Sequence, residues 1–248
     1  MNTIELEILL PALIAGLLVL ATHIPFGMRV LQRGVIFADL AVAQIAGLGV
    51  VIAGLLDLTE HPLLVQLIAV VSALCGAALL AWIERRVPDV KEACIGLTFV
   101  LAASLGILLM SHDVHAGEHL KDLLVGQILW VSNTQLIATA LLTAALLAVW
   151  KGFRQHLGNF GFYALFAVAI TASVQLVGIY LVFASLIVPA LVTYRQTRRR
   201  YLFAYVVGIA GYVLGLLLSV WLDLPAGAAI VWAMMLCGGV MFFINKQR

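Results

Sequence analysis

The chain has 248 residues, 64% of them hydrophobic and only 10% charged, with a net charge of +2. Soluble domains carry roughly 25% charged residues, so this composition and a mean hydropathy of +1.14 exclude a soluble enzyme and indicate an integral membrane protein. The basic residues stand in short clusters between apolar runs and form no patch interleaved with aromatics, which argues against nucleic acid as a partner.

A helix that crosses a bilayer needs about 20 apolar residues. The first run lies near 8–27. The start, MNTIELEILL, carries Glu5 and Glu7 where a cleavable signal needs positive charge, so this segment is expected to stay.

The second run, near 34–56, contains Asp39 within GVIFADLAVAQIAG, the one carboxylate clearly inside an expected span. A central aspartate costs about 2.5 to 3.5 kcal/mol on insertion scales, so it is expected to face a pore or a partner rather than lipid. The plainer alternative is an interface residue that snorkels to water or pairs with Arg33. Gln44 lies nearer mid-membrane and serves equally as a pathway residue or as a bond between helices. Residues five apart on an ideal helix point about 140 degrees away from each other, so Asp39 and Gln44 share a pore only if that helix bends or dimerises.

Runs near 62–83 and 93–111 follow, and then SHDVHAGEH, residues 111–119. On a helix His112, His115, Glu118, His119 and Asp122 would fall within an arc of about 120 degrees. Imidazole nitrogen and carboxylate oxygen together suit zinc and similar first-row ions. Gly117 weakens a helix there, and a solvated polar loop is the alternative. His115, Glu118 and His119 also spell H-x-x-E-H, the inverzincin protease pattern. A protease would need a third ligand and a pocket shielding a catalytic water, and the outer side offers only Asp57, Glu60 and Asp223.

A run near 132–150 precedes an apolar stretch between Phe160 and Thr193 that is too long for one span. Gln175 and Gly178 near its middle predict two short segments joined by a tight turn. Runs near 201–221 and 225–244 complete nine crossings. With the N-terminus outside and the C-terminus cytoplasmic, every Lys and Arg except Lys121 falls inside, as the positive-inside rule requires. Residues 1–248 show no linker or low-complexity tract and are expected to form a single all-α transmembrane domain. Cys75, Cys94 and Cys237 stand singly without C-x-x-C spacing and read as packing residues, and His23 and His61 near span ends read as structural.

Three stretches together resemble the permease subunit of bacterial ABC importers for zinc, manganese and iron. VQLVGIYLVFASLIVPALVTYRQTRRR (174–200) is similar to the family's Val-Gly, apolar run, Leu-Ile-x-Pro-Ala segment. LSVWLDLPAGAAIVW (218–232) is similar to its Asp-Leu-Pro turn into the last helix, and LKDLLVGQILWVS (120–132) to its Leu-x-Gly-x-Ile-Leu segment. The resemblance implies a homodimer with the pore between subunits, a cytoplasmic ATPase, an external metal-binding protein, and a divalent cation as cargo, zinc first, then manganese or iron. It also implies that Pro189, Ala190, Tyr194 and Arg195 belong to the segment that docks on the ATPase. A helix break at Pro189 follows from its missing N–H as well. Many members carry an aspartate followed four residues later by histidine. Here Asp39 is followed at that spacing by Ala43, and an alternative alignment puts Gln44 in the histidine's place.

The chain has no G-x-x-x-x-G-K-[ST] nucleotide loop, since Lys151 and Gly152 stand in the wrong order. It is therefore expected to hydrolyse no ATP itself and to need no cofactor. A secondary transporter is the alternative of another class, with a single intramembrane carboxylate as its thin provision.

Overall fold

The structure is a computed structural model that describes residues 3–56, 58, 60–110, 126–153, 157–196 and 199–246. Among them are nine α-helices and no strand: α1 (Thr3–Arg33), α2 (Ala38–Leu55), α3 (Pro62–Arg86), α4 (Lys91–Leu109), α5 (Asn133–Phe153), α6 (Asn159–Val177), α7 (Ile179–Val192), α8 (Arg200–Leu222) and α9 (Ala226–Lys246). Eight are long and apolar enough to cross a membrane, and the exception is α7 with 14 residues. At 1.5 Å per residue α7 reaches roughly 21 Å, short of the roughly 30 Å hydrocarbon core. The expected interruption of the 160–193 stretch is present, but it divides the stretch unequally and at one residue, Gly178.

The chain forms two compact units, one of Met1–Arg33, Leu124–Leu147 and Ser173–Arg248, the other of Gly34–Leu123 and Ala148–Ala172. In the first, α1, α7, α8 and α9 pack together. Lipid tails are as apolar as leucine, so packing in a membrane gains from small residues that let backbones approach. Accordingly Gly16 faces the Tyr212 ring, Gly27 the Leu186 carbonyl, Gly211 Met234 and Gly215 Ile230. Buried between α7 and α8, Ser185 Oγ and Tyr212 Oη share a hydrogen bond of 3.0 Å. Tyr212→Phe leaves the serine hydroxyl to seek a carbonyl on its own helix, and we expect a loss of about 1 kcal/mol, read as a lowered thermal midpoint in detergent.

Each stretch that carries the family resemblance builds a turn in this unit. Gly178 separates α6 from α7 with φ 80 and ψ 163, a conformation essentially reserved for glycine. Gly126, also at positive φ, lies directly against the Val177–Gly178 peptide, with no room for a Cβ. In the Asp-Leu-Pro turn, Asp223 ends α8 in the left-handed region. There Ser219 Oγ donates to the Leu224 carbonyl at 2.7 Å, while Leu224 N–H donates to the Ser219 carbonyl at 3.0 Å.

The expected break at Pro189 is not found, because α7 runs through it to Val192. Proline removes one backbone donor, the one directed at the carbonyl of Ser185. Three residues remain in the helix beyond it. The turn that follows is tied back by Thr193, whose hydroxyl donates to the Pro189 carbonyl at 2.7 Å.

In the second unit α2, α3 and α4 pack together. Gly49 fits against Ser72 and Gly76 against Ile45, contacts that set α2 and α3 antiparallel. Trp150, Phe162 and Phe166 form an aromatic row with centroids 5.9 and 5.7 Å apart. The cysteines are free thiols, and Cys75, expected to be a packing residue, lies exposed on α3.

Candidate functional site

Gly34 adopts a positive φ of 66, and α2 begins at Ala38 with Phe37 as its N-cap, which provides no side-chain cap. Asp39 is therefore the second helical residue, in the turn where backbone N–H groups lack intrahelical partners. Its side chain is 1% exposed. Neither carboxylate oxygen makes a hydrogen bond among the described residues, although the backbone N–H groups of Asp39 and Leu40 lie near enough to favour its charge. A buried polar group without partners costs free energy, so the arrangement is not what packing alone would select. Among the described residues the carboxylate neither reaches the surface nor holds a hydrogen-bonded partner.

Gln44 is half-buried on the same uninterrupted helix. Five positions after Asp39, it points about 140 degrees away, so within one chain the two side chains do not converge. Ala43, at the spacing where the resemblance leads one to seek a histidine, is buried and offers no ligand atom.

Glu92 is the residue that sequence reasoning missed. It lies in the first turn of α4, and its Oε1 accepts the N–H of Phe37 at 3.0 Å. One orphan donor of α2 is thus satisfied from a neighbouring helix. Its Oε2 is buried without a hydrogen bond among the described residues, and the carboxylate lies within electrostatic range of Asp39. In sequence it precedes the 93–111 apolar run and reads as a loop residue. The available signal is positional: both acids are the second residue of an apolar helix.

His112, His115, Glu118, His119 and Asp122 lie outside the described residues. Among the described residues no three His, Cys, Asp or Glu side chains gather into a metal-binding group. His23 is wholly buried in α1, and its Nδ1 stands 2.9 Å from the Val19 carbonyl. A carbonyl only accepts, so Nδ1 carries a proton, and Nε2 has no hydrogen-bond partner among the described residues. His61 is exposed at the start of α3.

Of the four residues assigned to ATPase docking, Pro189 and Ala190 are buried within the chain, while Tyr194 and Arg195 are exposed beyond the end of α7. Arg200 holds this turn. Its guanidinium lies 5.6 Å from the Tyr194 ring centroid, and its Nη2 donates to the Ala190 carbonyl at 3.5 Å.

The chain is similar to the manganese transport system membrane protein MntC of Halalkalibacterium halodurans, 26% identical over 259 residues that cover 96% of this chain and 87% of that one. It is similar to the high-affinity zinc uptake system membrane protein ZnuB of Haemophilus influenzae, 23% identical with 96% and 97% covered. A probable iron transport system membrane protein of the same organism is 26% identical over 163 residues, 57% of this chain and 60% of that one. The solved structure of PsaBC from Streptococcus pneumoniae in complex with Fab shares the fold, with a TM-score of 0.71 at 24% identity, covering 96% of this chain and 89% of that one. The family model described as the ABC 3 transport family matches residues 5–158 and 147–245, and the chain belongs to that family.

Proposed function

We propose that this chain is the membrane-spanning permease subunit of an ATP-driven importer of divalent metal cations, a single domain that forms its pore as a homodimer. Asp39 carries the reading. A buried carboxylate without hydrogen bonds among the described residues, at the start of a membrane helix, suits a cation that arrives and leaves better than it suits a permanent structural role. The names of the manganese, zinc and iron relatives support a first-row divalent ion as cargo.

The basic residues support a cytoplasmic C-terminus and a cytoplasmic α7–α8 turn. On that orientation Tyr194 and Arg195 meet the ATPase, and the firmly held turn transmits the power stroke to α7. The first turn of α2 lies near the cytoplasmic mouth, so Asp39 is an inner station on the path. The histidine-rich segment from His112 to His119 lies outside and receives the ion from the delivering protein.

The test is ATP hydrolysis by the permease reconstituted with its ATPase, with zinc, manganese and iron supplied in turn. We expect at least one ion to stimulate hydrolysis. Metal uptake into vesicles that lack the ATPase would refute the reading and indicate a secondary transporter. Replacing both Tyr194 and Arg195 by alanine is expected to lower stimulated hydrolysis severalfold while metal binding persists. Undiminished hydrolysis would remove these two residues from the docking surface.

A further inference from the structure

We infer that Glu92 is a second ligand of the inner cation site, so that Asp39 and Glu92 hold a divalent cation between them through carboxylate oxygens. The inference rests on the reading of Asp39 as a cation ligand and extends it to a residue on another helix.

The geometry begins at Phe37. Its N–H fixes Glu92 Oε1 at 3.0 Å, which anchors the glutamate carboxyl group against the backbone two residues before Asp39. Capping α2 accounts for Oε1 alone. It leaves Glu92 Oε2 and both oxygens of Asp39 buried and without hydrogen bonds among the described residues, and it leaves two acids within range of each other's field. Like charges at such range oppose each other, and burial raises the cost further.

Nearby positive charge offsets only part of this. Each acid occupies the first turn of its helix, where the helix dipole supplies about half a positive charge. With both acids ionised, the two helix ends therefore offset about one of the two negative charges. Lys91 precedes Glu92 and acts on it, but it is not among the groups acting on Asp39. A cation lodged between the two carboxylates satisfies the free oxygens and removes the repulsion together.

The donor set selects among ions. Both side chains offer oxygen only, and no third His, Cys, Asp or Glu joins them among the described residues. Oxygen sites completed by water or backbone carbonyls suit manganese, whereas zinc gains more from imidazole or thiolate. With no imidazole at Ala43 and a carboxylate supplied from α4, the site favours manganese.

The experiment is titration of the full-length chain in lipid nanodiscs with Mn2+ alone, free ion being followed by its electron paramagnetic resonance signal. The inner site is the component of binding that Asp39→Asn removes. We expect Glu92→Gln to weaken that component tenfold or more, at or above the roughly 10-fold to 100-fold loss typical of residues that merely support a metal ligand. The glutamine oxygen still accepts from Phe37, so the cap survives. The double variant is expected to bind no more weakly than Asp39→Asn, because both acids serve one ion.

Binding by Glu92→Gln within twofold of the original chain would overturn the proposal and leave Glu92 a helix cap, with Asp39 still a ligand. Binding untouched by Asp39→Asn would overturn both readings. Should Glu92→Gln fail to accumulate, electron spin-echo envelope modulation on the unaltered chain decides instead: the component lost with Asp39 is expected to lack nitrogen coupling, and an imidazole signal there would overturn the oxygen-only site.

Discussion

Asp39→Asn is expected to abolish metal uptake by the reconstituted importer, by more than about 100-fold, and to leave the thermal midpoint of the chain unchanged or raised. The two halves of this expectation share one cause. Asp39 is 1% exposed, and its carboxylate has no hydrogen bond among the described residues, so the cost of burying the charge outweighs what the helix end returns, and asparagine forfeits little. Residues kept for function against the interest of stability behave this way when neutralised. Supporting partners of a metal ligand typically cost about 10-fold to 100-fold on mutation, and a direct ligand at a narrow inner site should cost more. Uptake measured with a radioactive or fluorescent metal, beside a melting curve in detergent, reads both quantities. Lost uptake with a lowered midpoint would assign Asp39 to the fold, and retained uptake would take it off the pathway.

The second large effect is expected at the joint between α6 and α7. Gly178→Ala forces a Cβ onto a residue held at φ 80 and ψ 163, a strain of about 1 to 3 kcal/mol. Gly126→Ala should cost more. It combines a positive φ of 70 with a Cβ driven into the Val177–Gly178 peptide, which is backbone and cannot rotate aside. Because the two glycines press on the same peptide, the double variant is expected to lose less than the sum of the single losses. Size-exclusion profiles after graded heating measure all three. A Gly126→Ala chain as heat-resistant as the original would mean that this joint yields easily.

These glycines also explain why the family resemblance was readable before any fold was known. The three recognisable stretches contain Gly126, Gly178 and the Asp223–Leu224–Pro225 corner, positions where backbone conformation dictates residue type. Such constraints are local, and they survive in the sequence as short patterns. The ligands are different. A metal site needs only suitable atoms at one point in space, and different helices can supply them, so Glu92 carries no local signature that marks it as Asp39's neighbour.

The sequence by itself determined the membrane environment, the apolar segments, the interruption near Gly178, the oddity of Asp39 and the family. Each follows from length, hydropathy or a local conformational demand. The tertiary structure decided that α7 is short and passes through Pro189, that Asp39 and Gln44 diverge, that Pro189 and Ala190 are buried while Tyr194 and Arg195 are exposed, and that Glu92 reaches the start of α2. The physical reason lies in the solvent. A helix apolar around its whole circumference has no polar face to show which side meets a neighbour, so the partner of a membrane helix becomes legible only once the helices are packed.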